Sequence, residues 1–202
     1  MLLHLINVIT AHRPNKFARQ LKKATKKLHD TVECHTFFKD LIGGELPDYK
    51  YALYLKNICP IYKAVEMFLF KNLNSDLVQS TKIYNDFYNY KKDLYNVIDL
   101  ESESYDFYKQ YLDIFLTKSN FLKQADLYVN WLADLYGGQI LKNKVKYNER
   151  YTFYSVRKDI KFIRTFLEKD MNNENIESLI DSVNKAYIFH LELLNKIYDT
   201  SL

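Results

Sequence analysis

The segment LKKATKKLHDTVECH, residues 21–35, has a regular pattern of apolar and charged positions. Apolar residues recur every three or four positions from Lys16 to Glu33, and this spacing predicts an amphipathic α-helix over that range. Its charged face carries lysines that lead to one histidine, with a glutamate four residues later. Solubility alone does not require this order, so the charged face is a candidate ligand-binding surface.

Four charged or titratable residues share this face, because Lys22, Lys26, His29 and Glu33 are spaced four, three and four apart. A rise of about 1.5 Å per residue puts Lys22 roughly 10 Å along the axis from His29. A flat dianionic macrocycle such as haem would fit, with its metal on His29 and its acidic edge against the lysines. Glu33 would then accept the other imidazole N–H. The alternative is a solvated basic stripe whose surface histidine pairs with Glu33.

The rest of the chain also shows helical patterns and lacks the alternation that is typical of strands. Residues 42–47, IGGELP, end the first helical region, and Asp48 is the expected cap of a long helix that continues to about Phe70. Pro60 is expected to kink that helix or to free a carbonyl. Further helices are expected at about 77–97, 104–117, 120–143, 153–170 and 173–199. The predicted fold is therefore all-α.

The composition agrees with one helical domain. The 202 residues suffice for one buried core, and 4 Gly and 3 Pro are too few for an all-β protein rich in tight turns. We expect a single domain over residues 1–202, with residues 1–15 as an N-terminal extension.

Charge and cysteine content narrow the partners and the compartment. The net charge of +4 suits an acidic protein partner or an anionic ligand, and nucleic acid is not expected as a partner. No apolar run reaches membrane-spanning length, and residues 1–14 make a poor signal peptide. Cys34 and Cys59 are expected to be free thiols in a reducing compartment. The expectation is a soluble cytoplasmic protein.

A second informative segment is DLYVNWLADLYGGQILKN, residues 126–143, where two adjacent glycines interrupt a helical pattern. Each glycine costs about 1 kcal/mol relative to alanine inside a helix. Gly137 and Gly138 would remove side chains where a flat ligand lies against the backbone, or would serve close helix–helix contact or a kink. Asp134, one turn earlier, would hold ordered water and could deliver a proton to a ligand above it.

Together these segments resemble the haem oxygenase family. LKKATKKLHDTVE is similar to the proximal helix of that family, and YVNWLADLYGGQILK is similar to its distal helix with the signature GDLSGGQ. Between them, YLKNICPIYKAVE resembles the second long helix of the family. The similarity covers residues 17–197, thinly between 70 and 120. It implies a single-domain, multi-helix fold with haem between the proximal helix and a kinked distal helix.

The resemblance also implies roles on the proximal side of the haem. His29 is the implied axial iron ligand, with Glu33 near it. Basic side chains are implied to approach the haem propionates, and the candidates are Lys22, Lys26 and Arg164, with Lys161 as the alternative to Arg164.

On the distal side, the resemblance implies that Tyr62 and Tyr128 line the haem pocket. Asp134 is implied to anchor a water network that supplies protons, and is the implied catalytic residue. Gly137 and Gly138 are implied to give the backbone access to the haem face, where they belong to the catalytic set.

The implied reaction opens haem to biliverdin, in the alpha isomer, and releases carbon monoxide and ferrous iron. It consumes molecular oxygen and external electrons, and haem b is both cofactor and substrate. The resemblance is to bacterial and plastid enzymes, which implies an acidic ferredoxin-type donor at the basic face. Biliverdin would enter bilin pigment synthesis, or haem would be degraded for its iron.

The segment departs from the family pattern at three positions. Ala133 replaces a glycine, and its methyl group would crowd the oxygen or displace a water, which leaves open a non-catalytic haem carrier or sensor on the same fold. Tyr136 replaces a serine and Asn130 an arginine, and both are expected to be packing or surface changes.

Two other classes of protein fit the sequence less well. A carboxylate di-iron or thiaminase-like enzyme is disfavoured because paired Glu-x-x-His motifs are absent from the sequence. A helical interaction protein without a ligand leaves the two signatures unexplained. The remaining histidines are expected to be surface or hydrogen-bonded core residues: His4, His12, His35 and His190.

Overall fold

The structure is a computed structural model that describes residues 15–69, 80–94, 105–132 and 157–201. Within these ranges all regular structure is helical and no strand occurs, which confirms the all-α prediction. The helices are α1 (Lys16–Glu33), α2 (Thr36–Gly43), α3 (Asp48–Leu69), α4 (Ser80–Leu94), α5 (Tyr105–Thr117), α6 (Lys123–Asp126), a π-helix (Leu127–Leu132), α7 (Arg157–Glu168) and α8 (Ile176–Asp199).

The helix α1 has the bounds that its periodicity predicts. Asn15 caps it, because its side-chain oxygen accepts from the Ala18 N–H at 2.8 Å. The backbone N–H of Asn15 also donates to the Glu168 carboxylate at 3.3 Å, which ties the start of α1 to the end of α7. Leu21 and Thr25 are buried on the inner face, while the lysines remain exposed on the outer one. The sequence pattern therefore sets both the helix and its orientation.

The long helix α3 lies in the centre of the core and packs against α4, α5 and α8. It is one long helix that contains Pro60, as expected, and the kink or free carbonyl at Pro60 stays a prediction. Its cap differs from the prediction, because the carbonyl of Pro47 accepts from the N–H groups of Lys50 at 3.0 Å and Tyr51 at 3.3 Å. Pro47 is therefore the capping residue. Asp48 lies in the first turn, where its negative charge interacts favourably with the helix dipole.

The turn between α2 and α3 needs one glycine. Gly44 follows α2 with a φ of 75°, a left-handed conformation that only glycine adopts without strain. The next two backbone N–H groups, of Glu45 and Leu46, donate to the Asp40 carbonyl at 2.8 and 3.2 Å. This closed turn brings α3 back against α2.

The helix α8 packs against α1, α6 and the π-helix, so these elements meet along one seam. Its C-terminal end is fixed to α2 and α3. The Tyr198 hydroxyl donates to the Asp40 carboxylate at 2.9 Å, and Tyr49 donates to the Thr200 carbonyl at 3.1 Å. The Lys50 ammonium donates to the Tyr198 carbonyl and stands 4.5 Å from the centroid of its ring.

Both cysteines are unpaired, as predicted: Cys34 is exposed and Cys59 is half-buried. Burial raises the pKa of the Cys59 thiol to about 11, so the thiol stays protonated and donates to the Ser80 carbonyl at 3.4 Å. In the part of the chain that the structure describes, no helix is both long and apolar enough to cross a bilayer.

The contacts of Tyr198 predict a measurable contribution to stability. Tyr198→Phe removes its hydrogen bond to Asp40 and should lower the free energy of unfolding by about 1 kcal/mol. Tyr198→Ala also removes the packing on Lys50 and should cost about 2 kcal/mol. Urea denaturation followed by far-UV circular dichroism measures both, with Tyr84→Ala, at an exposed position of α4, as the control. Equal losses for Tyr198→Ala and Tyr84→Ala would show that the end of α8 is not anchored.

Candidate functional site

The imidazole of His29 lies at the seam between α1 and α8. Its ring packs edge-on against Tyr187 of α8, with 5.8 Å between the ring centroids. The side chain keeps 30% of its surface exposed. Packing on one edge fixes the ring, and the exposed part leaves it accessible to a ligand that lies over α1.

Each ring nitrogen of His29 has a carboxylate beside it. Glu33 Oε1 is 3.5 Å from Nε2, and Asp30 Oδ1 is 3.7 Å from Nδ1. The sequence predicted Glu33 in this place, whereas Asp30 was missed because adjacent residues of a helix point to different sides. Both distances exceed those of a formed hydrogen bond, so either carboxylate can approach or leave the ring.

His29, Asp30 and Glu33 each offer one ligand atom within 4.8 Å of the others. No single ring nitrogen faces both carboxylates, because Glu33 is beside Nε2 and Asp30 beside Nδ1. The Lys26 ammonium also donates to the Asp30 carboxylate, and this hydrogen bond lowers the pKa of Asp30 below its ordinary value of 3.8. The donor set therefore fits ligation of a metal by the imidazole alone better than a closed three-ligand ion site.

The predicted basic residues of α1 are at the surface. Lys22 and Lys26 are both exposed and lie two turns and one turn, respectively, before His29 on the same face. Lys26 is engaged with Asp30, so an anionic ligand at this lysine would compete with an internal ion pair. Exposed ion pairs four residues apart on a helix stabilise a protein by less than about 1 kcal/mol.

Tyr128 of the π-helix meets α1, and the charge of Arg164, in α7, reaches the Tyr128 phenol. Burial raises the pKa of the Tyr128 phenol, whereas a hydrogen bond with Thr25 and the positive charge of Arg164 lower it. Thr25 is buried one turn before His29, and its own hydroxyl donates to the Leu21 carbonyl at 2.9 Å. The structure thus brings one predicted residue, Tyr128, against α1 and within reach of the charge of another, Arg164, and it adds Thr25, which the sequence analysis did not single out.

Tyr62 is fully buried in α3 and donates its hydroxyl to the Asn130 carbonyl in the π-helix. Asn130 is itself 1% exposed, so this substitution is not a surface change. Its side-chain Nδ2 donates to the Asp126 carbonyl at 2.9 Å, and its Oδ1 is 2.7 Å from His190 Nε2. Asn130 therefore joins α3, α8 and the start of the π-helix, a role for which the sequence gives no local signal.

A buried ion pair holds the helix just before the π-helix. Asp126 is fully buried and accepts from the Lys118 ammonium at 2.7 Å and from the Tyr111 hydroxyl at 3.0 Å. Burial raises the pKa of Asp126 above 3.8, and the charge and hydrogen bond of Lys118 oppose that rise. Burial likewise raises the pKa of Tyr111.

Two of the remaining histidines have hydrogen-bond partners, as expected. His35 caps α2, where its Nδ1 accepts from the Phe37 N–H at 3.1 Å and its Nε2 lies 3.0 Å from Asn195 Oδ1. His190 is partly buried, and its Nε2 pairs with the fully buried Asn130.

Several predicted positions lie outside the described residues. They are His4, His12, Ala133, Asp134, Tyr136, Gly137 and Gly138, together with the side chain of Lys161.

Comparison with known proteins adds an independent finding. The family model described as "Heme oxygenase" matches residues 15–196. The chain is 25% identical to the heme oxygenase of Pyropia yezoensis over 214 residues, which covers 93% of this chain and 88% of that protein. The fold is similar to heme oxygenase-1 of the cyanobacterium Synechocystis in complex with heme, with a TM-score of 0.70, 22% identity and coverage of 91% and 92% of the two chains. Heme oxygenase-2 of Synechocystis, in complex with heme and NO, matches with a TM-score of 0.73 at 20% identity, over 92% of this chain and 86% of that one.

The burial of His190 predicts how stability changes with pH. Burial lowers the pKa of His190 from 6.5 to about 4 in the folded protein, so between these values the unfolded chain binds the extra proton. Its contribution is complete above pH 6.5 and is lost as the pH falls towards 4. Between pH 7 and pH 5 the loss should be about 2 kcal/mol.

Urea denaturation of the wild type and of His190→Gln at both pH values measures this contribution. The raised pKa of Asp126 acts in the opposite direction, because its stabilising effect falls as the pH rises. The difference between the two proteins, rather than the slope of either, therefore isolates His190. Parallel slopes would contradict a buried neutral histidine.

Proposed function

Because the chain belongs to the haem oxygenase family, we propose that it binds haem through His29 and cleaves it to biliverdin, carbon monoxide and ferrous iron. The observation that carries the proposal is the position of His29. A partly exposed imidazole lies at the seam of α1 and α8, with a carboxylate beside each nitrogen. One turn away, Tyr128 meets Thr25 of α1, and the charge of Arg164 reaches Tyr128. The alpha isomer of biliverdin is the proposed product.

Asp30 and Glu33 would determine the tautomer of the His29 imidazole and the basicity of its ligating nitrogen. When iron binds one ring nitrogen of His29, the other N–H has an acceptor in Asp30 or Glu33. Such an acceptor fixes the tautomer and makes the ligating nitrogen more basic. Bound haem supplies the iron at which dioxygen is reduced and the ring that is oxidised.

The edge of the haem would lie against positive and hydroxyl groups. Lys22 and Lys26 are exposed on the same face as His29, and Tyr128, which the charge of Arg164 reaches, meets the buried Thr25 of α1. These groups suit two propionate carboxylates, because ammonium and guanidinium groups form charge-assisted hydrogen bonds with them. Lys26 would exchange its bond to Asp30 for one to the ligand. Arg164 is the proposed late basic residue, since its charge reaches Tyr128, and Lys161 remains the alternative.

On the distal side, we assign proton supply to water held by Asp134, and access to the haem face to Gly137 and Gly138. Tyr62 would act indirectly, because its hydroxyl donates to the Asn130 carbonyl and so holds the π-helix that precedes these residues in the chain. The substitution of glycine by Ala133 favours one alternative, a haem carrier or sensor without turnover.

Electrons would come from an acidic ferredoxin-type protein. The net charge of +4 and the exposed lysines of α1 provide a basic docking surface for such a partner. Free thiols and the absence of a spanning helix in the described residues fit a cytoplasmic location, which we propose.

The first test is a haem titration followed by aerobic turnover with a ferredoxin reducing system, read by absorbance. The wild type should develop a Soret band that is lost as biliverdin absorbance grows. His29→Ala should weaken haem binding by about tenfold or more, equivalent to at least about 1.4 kcal/mol. His35→Gln is the matched control, because His35 caps α2 and takes no part in the proposed site.

The outcomes separate the candidates. A Soret complex that survives the reducing system would replace the oxygenase with the carrier or sensor. If His29→Ala and His35→Gln bind haem equally well, then His29 is not the iron ligand. Absence of any Soret band in the wild type would leave α1 as a solvated basic helix.

The assignment of Arg164 has its own test. Arg164→Gln should weaken haem binding by about tenfold, because it removes one charge-assisted hydrogen bond, and Arg164→Lys should restore part of it. The control is Lys185→Gln, which removes one positive charge from an exposed position of α8. An equal change in both variants would mean that only net charge matters.

A further inference from the structure

Inside the protein, Asn130 joins the π-helix to four other elements. Asn130 Nδ2 donates to the Asp126 carbonyl at 2.9 Å, at the end of α6. Its backbone carbonyl accepts from Tyr62 of α3, and its Oδ1 meets His190 of α8 at 2.7 Å. A hydrogen bond from Asn130 also lowers the pKa of the Tyr111 phenol, against the effect of burial. This amide has a partner on each side.

These partners fix the orientation of the Asn130 amide and show which nitrogen of His190 carries the hydrogen. The Asn130 nitrogen faces acceptors, the Asp126 carbonyl and the Tyr111 oxygen, so the amide oxygen must face His190. An amide oxygen only accepts, and therefore His190 Nε2 carries the hydrogen and donates it. Burial keeps His190 neutral at pH 7, since its pKa is lowered to about 4.

The contacts of Asn130 and His190 lie at a π-helix, which is an irregular helical turn. A π-helix shifts the backbone bonds by one residue relative to an α-helix and needs local support. Here side-chain donors reach the carbonyls of Asp126, immediately before it, and of Asn130, within it. Tyr128 lies in the same turn, two residues before Asn130, and it meets Thr25 of α1.

We propose that Asn130 and His190 are positioning residues that hold the π-helix so that Tyr128 meets α1 beside the proposed haem ligand. The consequence for catalysis rests on the proposed function, whereas the effect on the π-helix does not. The π-helix also leads directly into the segment that contains Asp134. A shift in this turn would therefore move groups on the distal side without removing any of them.

The test uses two substitutions of one residue. His190→Gln keeps an N–H donor near the position of Nε2, whereas His190→Leu has similar size and no donor. In His190→Leu the Asn130 oxygen is left buried without this partner. Ile197→Ala is the control for loss of stability, because Ile197 is buried on α8 two turns further along and about 10 Å from His190 along the axis.

The first readout needs no haem. Trp131 is the only tryptophan of the chain and lies in the π-helix, so its fluorescence reports on this turn. His190→Leu should change the emission and its quenching by acrylamide under conditions where far-UV circular dichroism shows full folding. His190→Gln and Ile197→Ala should resemble the wild type.

The second readout separates binding from turnover. In His190→Leu the haem dissociation constant should stay within about threefold of wild type, because His29 and the lysines are unchanged. The rate of biliverdin formation should fall by about tenfold or more, because small misplacements of catalytic groups are costly. His190→Gln should recover most of this rate.

Unchanged Trp131 fluorescence in His190→Leu would overturn the proposal, as would equal effects of the Gln and Leu substitutions. A fluorescence change with normal turnover would remove its catalytic consequence. If the wild type binds haem but forms no biliverdin, the proposed function fails, and the fluorescence of the haem-free variants still decides whether the pair holds the turn.

Discussion

The fold and the site both depend on how α1 is buried. One stripe of this helix, with Leu21 and Thr25 at its centre, lies against the core, and the helix packs chiefly on α8. A helix that buries one stripe must expose the opposite one, so the lysines stay in solvent. His29 falls at the boundary between the two stripes, where Tyr187 holds one edge of its ring. A shift of the apolar pattern by one position would bury the imidazole or turn it away from α8.

Features that depend on local periodicity could be read from the sequence. The bounds of α1 and the all-α class follow from apolar residues every three or four positions, and the structure agrees. Asp48 was wrongly expected as a cap, because the side-chain preference of Asp for caps says nothing about the Pro47 carbonyl that accepts the first helical bonds. The π-helix was not foreseen, since a single wide turn leaves the apolar pattern almost unchanged.

Features that depend on pairing over long sequence separations could not be read from it. Asn130 and His190 are 60 residues apart, and no local sequence pattern around either residue predicts that they meet. Asn130 was therefore expected to be a packing or surface change, and His190 only as a surface or core histidine. Tyr128 and Arg164 were each expected at the haem through family resemblance, and no pattern in the chain indicated the electrostatic interaction between them.

The two sides of the proposed site differ in how easily their polar contacts can be exchanged. On the proximal side, Lys26, Asp30 and Glu33 are at least partly exposed, and such ion pairs contribute about 1 kcal/mol or less. An anionic ligand can replace these contacts at little cost. On the distal side, Asn130 and Asp126 are buried, and removing one partner there leaves an unsatisfied polar group at a cost of about 1–3 kcal/mol. A ligand that binds between the two sides would therefore rearrange the side chains of α1 and leave the buried contacts around the π-helix in place. The proposed reaction needs such a fixed distal geometry.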